Sequence, residues 1–237
     1  MPRLAMVNLK ARDDAALGRF WAAVLDWVVF HEGPGSTALG PAGFAWPDPD
    51  ALCLDVVAVP DPEAVRGRVR LDLAAASATH QAELVARLVA SGAKRVGGGD
   101  EPWTTLTDPE GNVFRVRRET DRDTGPIAAV VVGCADPRAM ARFWGTAMAW
   151  TTHEARDDRA RLRAATGIGP YLEFVPDPLV TRNRFHLDLT PSPRADHPAE
   201  VARLRTLGAA DADIGQGAVP WAVLADPEGN RFCVLTR

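Results

Sequence analysis

Long apolar runs are missing from this chain of 237 residues. No stretch approaches the roughly 20 apolar residues that a membrane-crossing helix needs. The opening Met-Pro-Arg-Leu-Ala-Met-Val-Asn-Leu-Lys lacks a hydrophobic signal segment, so a cytosolic location is expected. Cysteine is scarce. Cys53, Cys134 and Cys233 are odd in number, far apart and without CxxC spacing, which argues against a disulfide framework or a cysteine zinc cluster and predicts free thiols. A basic excess is lacking too: 27 Lys and Arg against 31 Asp and Glu leave a formal net charge of −4. Nucleic acid is therefore not an expected partner, because phosphates call for a basic stripe. Tyrosine occurs once, against seven tryptophans.

What is present is a repeat. Trp-Thr-Thr-Leu-Thr-Asp-Pro-Glu-Gly-Asn-Val-Phe at 103–114 returns as Trp-Ala-Val-Leu-Ala-Asp-Pro-Glu-Gly-Asn-Arg-Phe at 221–232. Arg70-Leu71-Asp72-Leu73 returns as His186-Leu187-Asp188-Leu189. Phe20-Trp21 with Trp27 returns as Phe143-Trp144 with Trp150. Two copies of one domain in tandem follow, over 1–119 and 127–237, joined by a charged linker at 120–126 that ends Gly-Pro.

Each copy divides again. Leu4–Ala11 alternates like a half-buried strand, and Asp13 or Asp14 offers a cap to a helix whose apolar face is Leu17, Phe20, Trp21, Val24 and Leu25. Short strand-like runs separated by Gly-Pro punctuation lead to a strand over Leu52–Val59. The pattern then restarts with Val69–Leu73, a helix over Gln81–Ala90 stopped at Gly92, and two closing strands. Asp136-Pro137 opens the equivalent helix of the second copy, with Pro at its first position. The expected architecture is α+β, with four βαβββ modules.

Four such modules, the strand Phe185–Leu189 and the hairpin Asp226–Cys233 together resemble the vicinal oxygen chelate superfamily, in its glyoxalase-like branch. The resemblance implies two tandem glyoxalase-like domains with curved mixed sheets, and it covers nearly the whole chain. It also implies four metal-ligand slots on the concave sheet surfaces. These fall on Met6, Val57, Arg70 and Arg115 in the first copy, and on Ala129, Glu173, His186 and Cys233 in the second. Arginines repel a divalent cation and the first-strand histidine is absent, so no metal and no other cofactor are expected.

His186 and Asp188, two apart on a strand, share a face and form a candidate polar anchor or acid/base pair. Their alternative role is a hydrogen-bond network that fills the cup. Arg70 and Asp72 hold the same places in the first copy. A turn at Asp226–Asn230 sets Cys233 across from Val223, with Trp221 on that face, and the same count sets Trp103 with Arg115 and Arg117. Either tryptophan suits a flat organic ligand, or equally packs between domains. The Asp-Pro-Glu-Gly-Asn turns are structural: Pro presets the turn, Gly supplies positive φ, and Asp and Asn bond turn backbone. His31 and His153 are expected to be exposed, and His80 and His197 to lie on surface loops.

If each copy closes its own cup, the first holds Asn8, Lys10, Arg70, Asp72, Arg115 and Arg117, sealed by internal pairing. The second holds Glu173, His186, Asp188 and Cys233, with more room. Pairing of modules across the copies would instead set Glu173 against Arg70 and Arg115, and His186 against Met6. The leading expectation is a metal-free protein that binds or sequesters a small, partly aromatic organic molecule, of the bleomycin-resistance kind. Trp221 would stack, with polar contacts from His186, Asp188 and Glu173. The alternatives are a lyase, isomerase or hydrolase using His186 as general base, with Asp188 orienting it and Glu173 as a second acid/base, and a scaffold with both cups sealed. A monomer or a homodimer fits equally.

Overall fold

A computed structural model describes the chain except residues 47, 49–50, 66, 99–100, 119, 121, 177–182, 193–194, 214, 216 and 237, and the side chain at 122. Linker position 121, and residue 119 at the end of the first copy, thus lie outside the described residues.

Four βαβββ modules follow one another. The first is β1 (Arg3–Ala11), α1 (Asp14–Leu25), β2 (Val28–Gly33), β3 (Ser36–Gly40) and β4 (Cys53–Ala58). The second is β5 (Val69–Leu73), α2 (Ala78–Ala90), β6 (Lys94–Arg95), β7 (Trp103–Thr107) and β8 (Val113–Arg117). The third is β9 (Ile127–Gly133), α3 (Pro137–Met148), β10 (Thr151–Ala155), β11 (Ala160–Arg163) and β12 (Tyr171–Val175). The fourth is β13 (Phe185–Thr190), α4 (His197–Thr206), β14 (Ala210–Asp211), β15 (Ala222–Ala225) and β16 (Arg231–Val234).

Each helix starts on a side-chain cap. Asp13, Ser77, Asp136 and Asp196 accept from the N–H of Ala16, His80, Ala139 and Ala199, satisfying donors that have no intrahelical partner. The faces read from sequence are buried: Leu17, Phe20, Trp21, Val24 and Leu25 on α1, and Met140, Phe143, Trp144, Ala147 and Met148 on α3. His80 and His197 lie in the first turns of α2 and α4 rather than on loops, since the caps at Ser77 and Asp196 start both helices early enough to include them.

The modules pair across the copies. One sheet runs β14-β15-β16-β13-β1-β4-β3-β2 and the other β10-β11-β12-β9-β5-β8-β7-β6. First and fourth modules share one sheet, through antiparallel β1 and β13. Second and third share the other, through antiparallel β5 and β9. Cups closed within each copy are therefore corrected. The four first strands offer the same backbone hydrogen bonds, three alternate and β9 is apolar throughout, so local pattern alone does not select partners.

A second set of contacts ties the modules of one copy together. The indole of Trp21, fully buried on α1, donates to Asp108 Oδ2 at 3.3 Å in the second module's turn. Trp144 repeats this to Asp226 Oδ2 at 3.2 Å. Glu110 of the same turn accepts from the N–H groups of Arg12 and Asp13, and Glu228 from those of Ala135 and Asp136. The Asp-Pro-Glu-Gly-Asn segments are turns, as their chemistry implies, and in addition clamp the modules of one copy together. One continuous apolar core runs between helices and sheets through all four modules.

Candidate functional site

The concave face shared by the first and fourth modules is built from β1, β4, β13 and β16. Alternation turns Val7 and Leu9 of β1 toward the core and leaves Met6, Asn8 and Lys10 on the opposite face. Register then decides the neighbours. Asn8 lies between His186 and Asp55, Met6 beside Asp188, and Asp188 beside Cys233. His186, Asp188 and Cys233 thus come together as the sequence implied, with Asn8, rather than Met6, next to the imidazole.

His186 Nε2 stands 3.1 Å from Asp188 Oδ1 and 3.8 Å from Cys233 Sγ. The first contact is a pairing by distance without hydrogen-bond alignment, and Asp188 Oδ1 is a buried acceptor left without a hydrogen bond. Burial, and then the neighbouring Asp188 carboxylate, push the Cys233 thiol well up, so the sulfur is held protonated. Asp55 receives Asn8 Nδ2 at 3.2 Å and Ser36 Oγ at 2.8 Å, yet burial still pushes its carboxyl up. Burial pulls the Lys10 ammonium down, against the opposing pull of Asp188, Asp55 and Cys233.

Above this floor opens a cavity of about 560 Å³, lined by Lys10, His186 and Cys233 below and by Val59, Val65, Val69 and Val223 at the sides. A glycine allows a close backbone approach at its edge. The connection from β4 to β5 passes β13 so closely that a Cβ on Gly67 would stand 2.5 Å from Phe185 O. Its counterpart in the second copy is Asn183, whose amide fills the equivalent end of the other sheet. There Nδ2 donates to Val69 O and Val113 O, at 2.9 and 2.8 Å, and Oδ1 accepts from Val113 N–H at 2.7 Å.

The face shared by the second and third modules has a different character. Arg70 Nε donates to Asp72 Oδ1 at 2.8 Å, and Arg117 Nε to Asp72 Oδ2 at 2.7 Å. The two terminal nitrogens of Arg117 hold both oxygens of Glu173, at 3.0 and 2.9 Å, and Arg161 Nε stands 3.4 Å from the same carboxylate. The Arg115 guanidinium lies 4.7 Å over the Trp103 ring. Burial would push the Asp72 carboxyl up, but Arg117 and Arg70 outweigh it and hold it below its usual range.

Glu173 is therefore corrected as a partner of His186: β12 belongs to the other sheet, and Arg117 with Arg161 occupy its oxygens. Arg70, Asp72, Trp103 and Arg115 do share one face, and Glu173 joins them. Trp221 falls just outside β15, is 37% exposed and does not line the cavity of about 560 Å³, where Val223 takes that place. From sequence Asn8 and Lys10 are cup residues, but in company with Arg70 and Arg115 rather than His186, and Asp55 is not singled out at all. The signal that would have found them is their shared alternation, once β1 is known to run between β4 and β13.

The family's metal slots fail on both faces. On the second, arginine holds two of them and the carboxylate is already paired. On the first, the ligating atoms of His186, Asp188 and Cys233 lie within 4.8 Å of one another. Even so, the ammonium of Lys10 shares the cavity floor, and the remaining slots are Met6 and Val57, which offer no ligand of the family's His or carboxylate type. These residues do not fit a divalent metal of the family's kind. The described thiols are free and buried. Among the described residues no helix is long and apolar enough to cross a membrane.

Comparison with known proteins agrees with the architecture. The glyoxalase-like domain family matches twice, over residues 6–117 and 129–235. Glyoxalase I from Zea mays is similar over 99% of this chain and 92% of its own, at 16% identity and a TM-score of 0.69. A putative dioxygenase from Bacillus subtilis subsp. subtilis str. 168 is similar over 98% and 84%, at 12% identity and a TM-score of 0.62. At such identities the likeness shows the fold alone. No curated protein matches the chain. With two family matches that span nearly all of its length, the chain belongs to the glyoxalase-like domain family of the vicinal oxygen chelate superfamily.

Proposed function

We propose that this protein binds, and by binding sequesters, a small organic molecule in the cavity between the first and fourth modules, without a divalent metal. One observation carries the reading: a space of about 560 Å³ with valine-rich walls closes over a polar floor of Lys10, His186 and Cys233. Apolar walls with a few convergent polar groups are what a small-molecule site requires. The volume suits a molecule of one or two rings. Trp221 is not needed, since Val223 supplies the wall, and Glu173 has no part in this site.

The second reading is proton transfer. His186 lines the cavity, Asp188 stands 3.1 Å from its Nε2, and no described contact engages Nδ1. That arrangement suits a general base held by a carboxylate.

One experiment tests both. Compounds found by a fragment screen are measured by calorimetry against the wild type before and after chelation, and against Val223→Trp and His186→Ala. Binding that survives chelation, is abolished by Val223→Trp and persists with no turnover in His186→Ala or the wild type supports sequestration. Turnover that His186→Ala removes replaces it with catalysis. A stoichiometric metal required for binding, or compounds indifferent to Val223→Trp, sinks the proposal.

A further inference from the structure

The two concave faces handle charge in opposite ways. On the second and third modules, Asp72 and Glu173 accept from arginine within 3.0 Å, so buried cation meets buried anion. On the first and fourth, the described lining of the cavity contains Lys10, Arg68, Arg184 and Arg231 and no Asp or Glu. Arg184 is neutralised by Glu110 and Glu63, each at 2.8 Å. Among the described residues the Arg68 guanidinium has one partner, the carbonyl Glu228 O at 2.7 Å. Lys10 forms no ion pair with any described residue; Asp188 and Asp55, on the same sheet face, draw its ammonium toward the charged form but do not line the cavity.

An ammonium in that position is poorly solvated, and the nearby carboxylates offset its burial only in part. Burial disfavours its charged form, and an anion brought into the cavity would relieve the cost. Lys10 also stands out in composition: it is one of two lysines in the chain, with Lys94, which is exposed.

From this we infer that the ligand is an organic carboxylate. Its carboxylate group would pair with Lys10 beside His186, its apolar body would lie against Val59, Val65, Val69 and Val223, and Arg68 and Arg231 would draw it in. A single ammonium with an imidazole matches a monoanion, whereas a phosphate would ask for more donors than the floor presents. The inference rests on the proposed binding function and names its ligand class.

The test uses matched carboxylates and carboxamides of equal shape: benzoate with benzamide, cinnamate with cinnamamide, hexanoate with hexanamide, and benzamidine as the cationic isostere. Calorimetry should show at least one carboxylate bound, its amide weaker by about ten-fold or more, and benzamidine not bound. Lys10→Met should bring the carboxylate down to the level of its amide, and Lys10→Arg should restore part of the difference. Binding to the wild type above neutral pH should take up protons, measured in buffers of different ionisation enthalpy, and Lys10→Met should not. Lysine acylation followed by mass spectrometry should show Lys10 protected by the carboxylate and Lys94 unprotected. Amides or benzamidine binding as well as carboxylates, or a carboxylate indifferent to Lys10→Met, overturns the inference and leaves the cavity as a binding site. A panel in which nothing binds, repeated with compounds that the fragment screen shows in the cavity but that carry no carboxylate, also overturns it. A cavity that takes no compound at all removes both readings.

Discussion

Arg117 holds two buried carboxylates at once, Asp72 on one side and Glu173 on the other, and so joins the second module to the third. Removing one charge from such a network leaves its partners desolvated without compensation, which costs more than the network itself contributes. Asp72→Asn is therefore expected to destabilise the fold by about 3 kcal/mol, measured by urea unfolding, while replacing Asp72 and Arg117 together with apolar residues of similar size costs much less. An Asp72→Asn variant as stable as the wild type would show that the arginines find other partners. The pH dependence has a definite sign. Asp72 is held below the ordinary aspartate pKa of about 3.9, chiefly by Arg117 and Arg70 against burial. Its contribution is present above that value and is lost as pH falls through the lower folded one.

Among the elements, the two hairpin turns do more than reverse the chain. Asp108 and Asp226 organise the turns and receive the indoles of Trp21 and Trp144, while Glu110 and Glu228 reach the N–H groups just ahead of α1 and α3. Glu228 accepts from Ala135 and Asp136 at 2.6 and 2.7 Å. Glu228→Ala should therefore lower stability by about 1 kcal/mol and increase hydrogen exchange at the N–H groups of Ala135 and Asp136. Unchanged exchange there would mean that water replaces the carboxylate without loss. This role was partly legible in sequence. The Asp-Pro-Glu-Gly-Asn pattern identifies a turn, but the far end of a Glu side chain is set by tertiary packing.

For the whole molecule, the two kinds of contact divide the labour. Turn clamps bind first to second module and third to fourth, whereas the sheets bind first to fourth and second to third. A half made of residues 1–126 would retain its clamp but expose the edges of β1 and β5 that β13 and β9 cover. Expressed alone, it should form a homodimer in which β1 of one copy meets β5 of the other, or else aggregate. Light scattering that finds a stably folded monomer would show that one copy closes its own sheet.

Amino-acid order by itself determined the repeat, the four modules, the helix faces and the turns, because these depend on local spacing: 3.6-residue periodicity, two-residue alternation, capping side chains and glycine or proline punctuation. It also set which residues share a strand face, so His186 with Asp188 and Arg70 with Asp72 were legible as pairs. Only the tertiary structure decided that Glu173 belongs with Arg117 and not with His186, that Lys10 and Asn8 stand beside the imidazole, and that Trp221 stays outside the cavity. The physical reason is degeneracy. First strands offer the same backbone hydrogen bonds to any partner, and the choice among them rests on long-range packing that no local window of sequence contains.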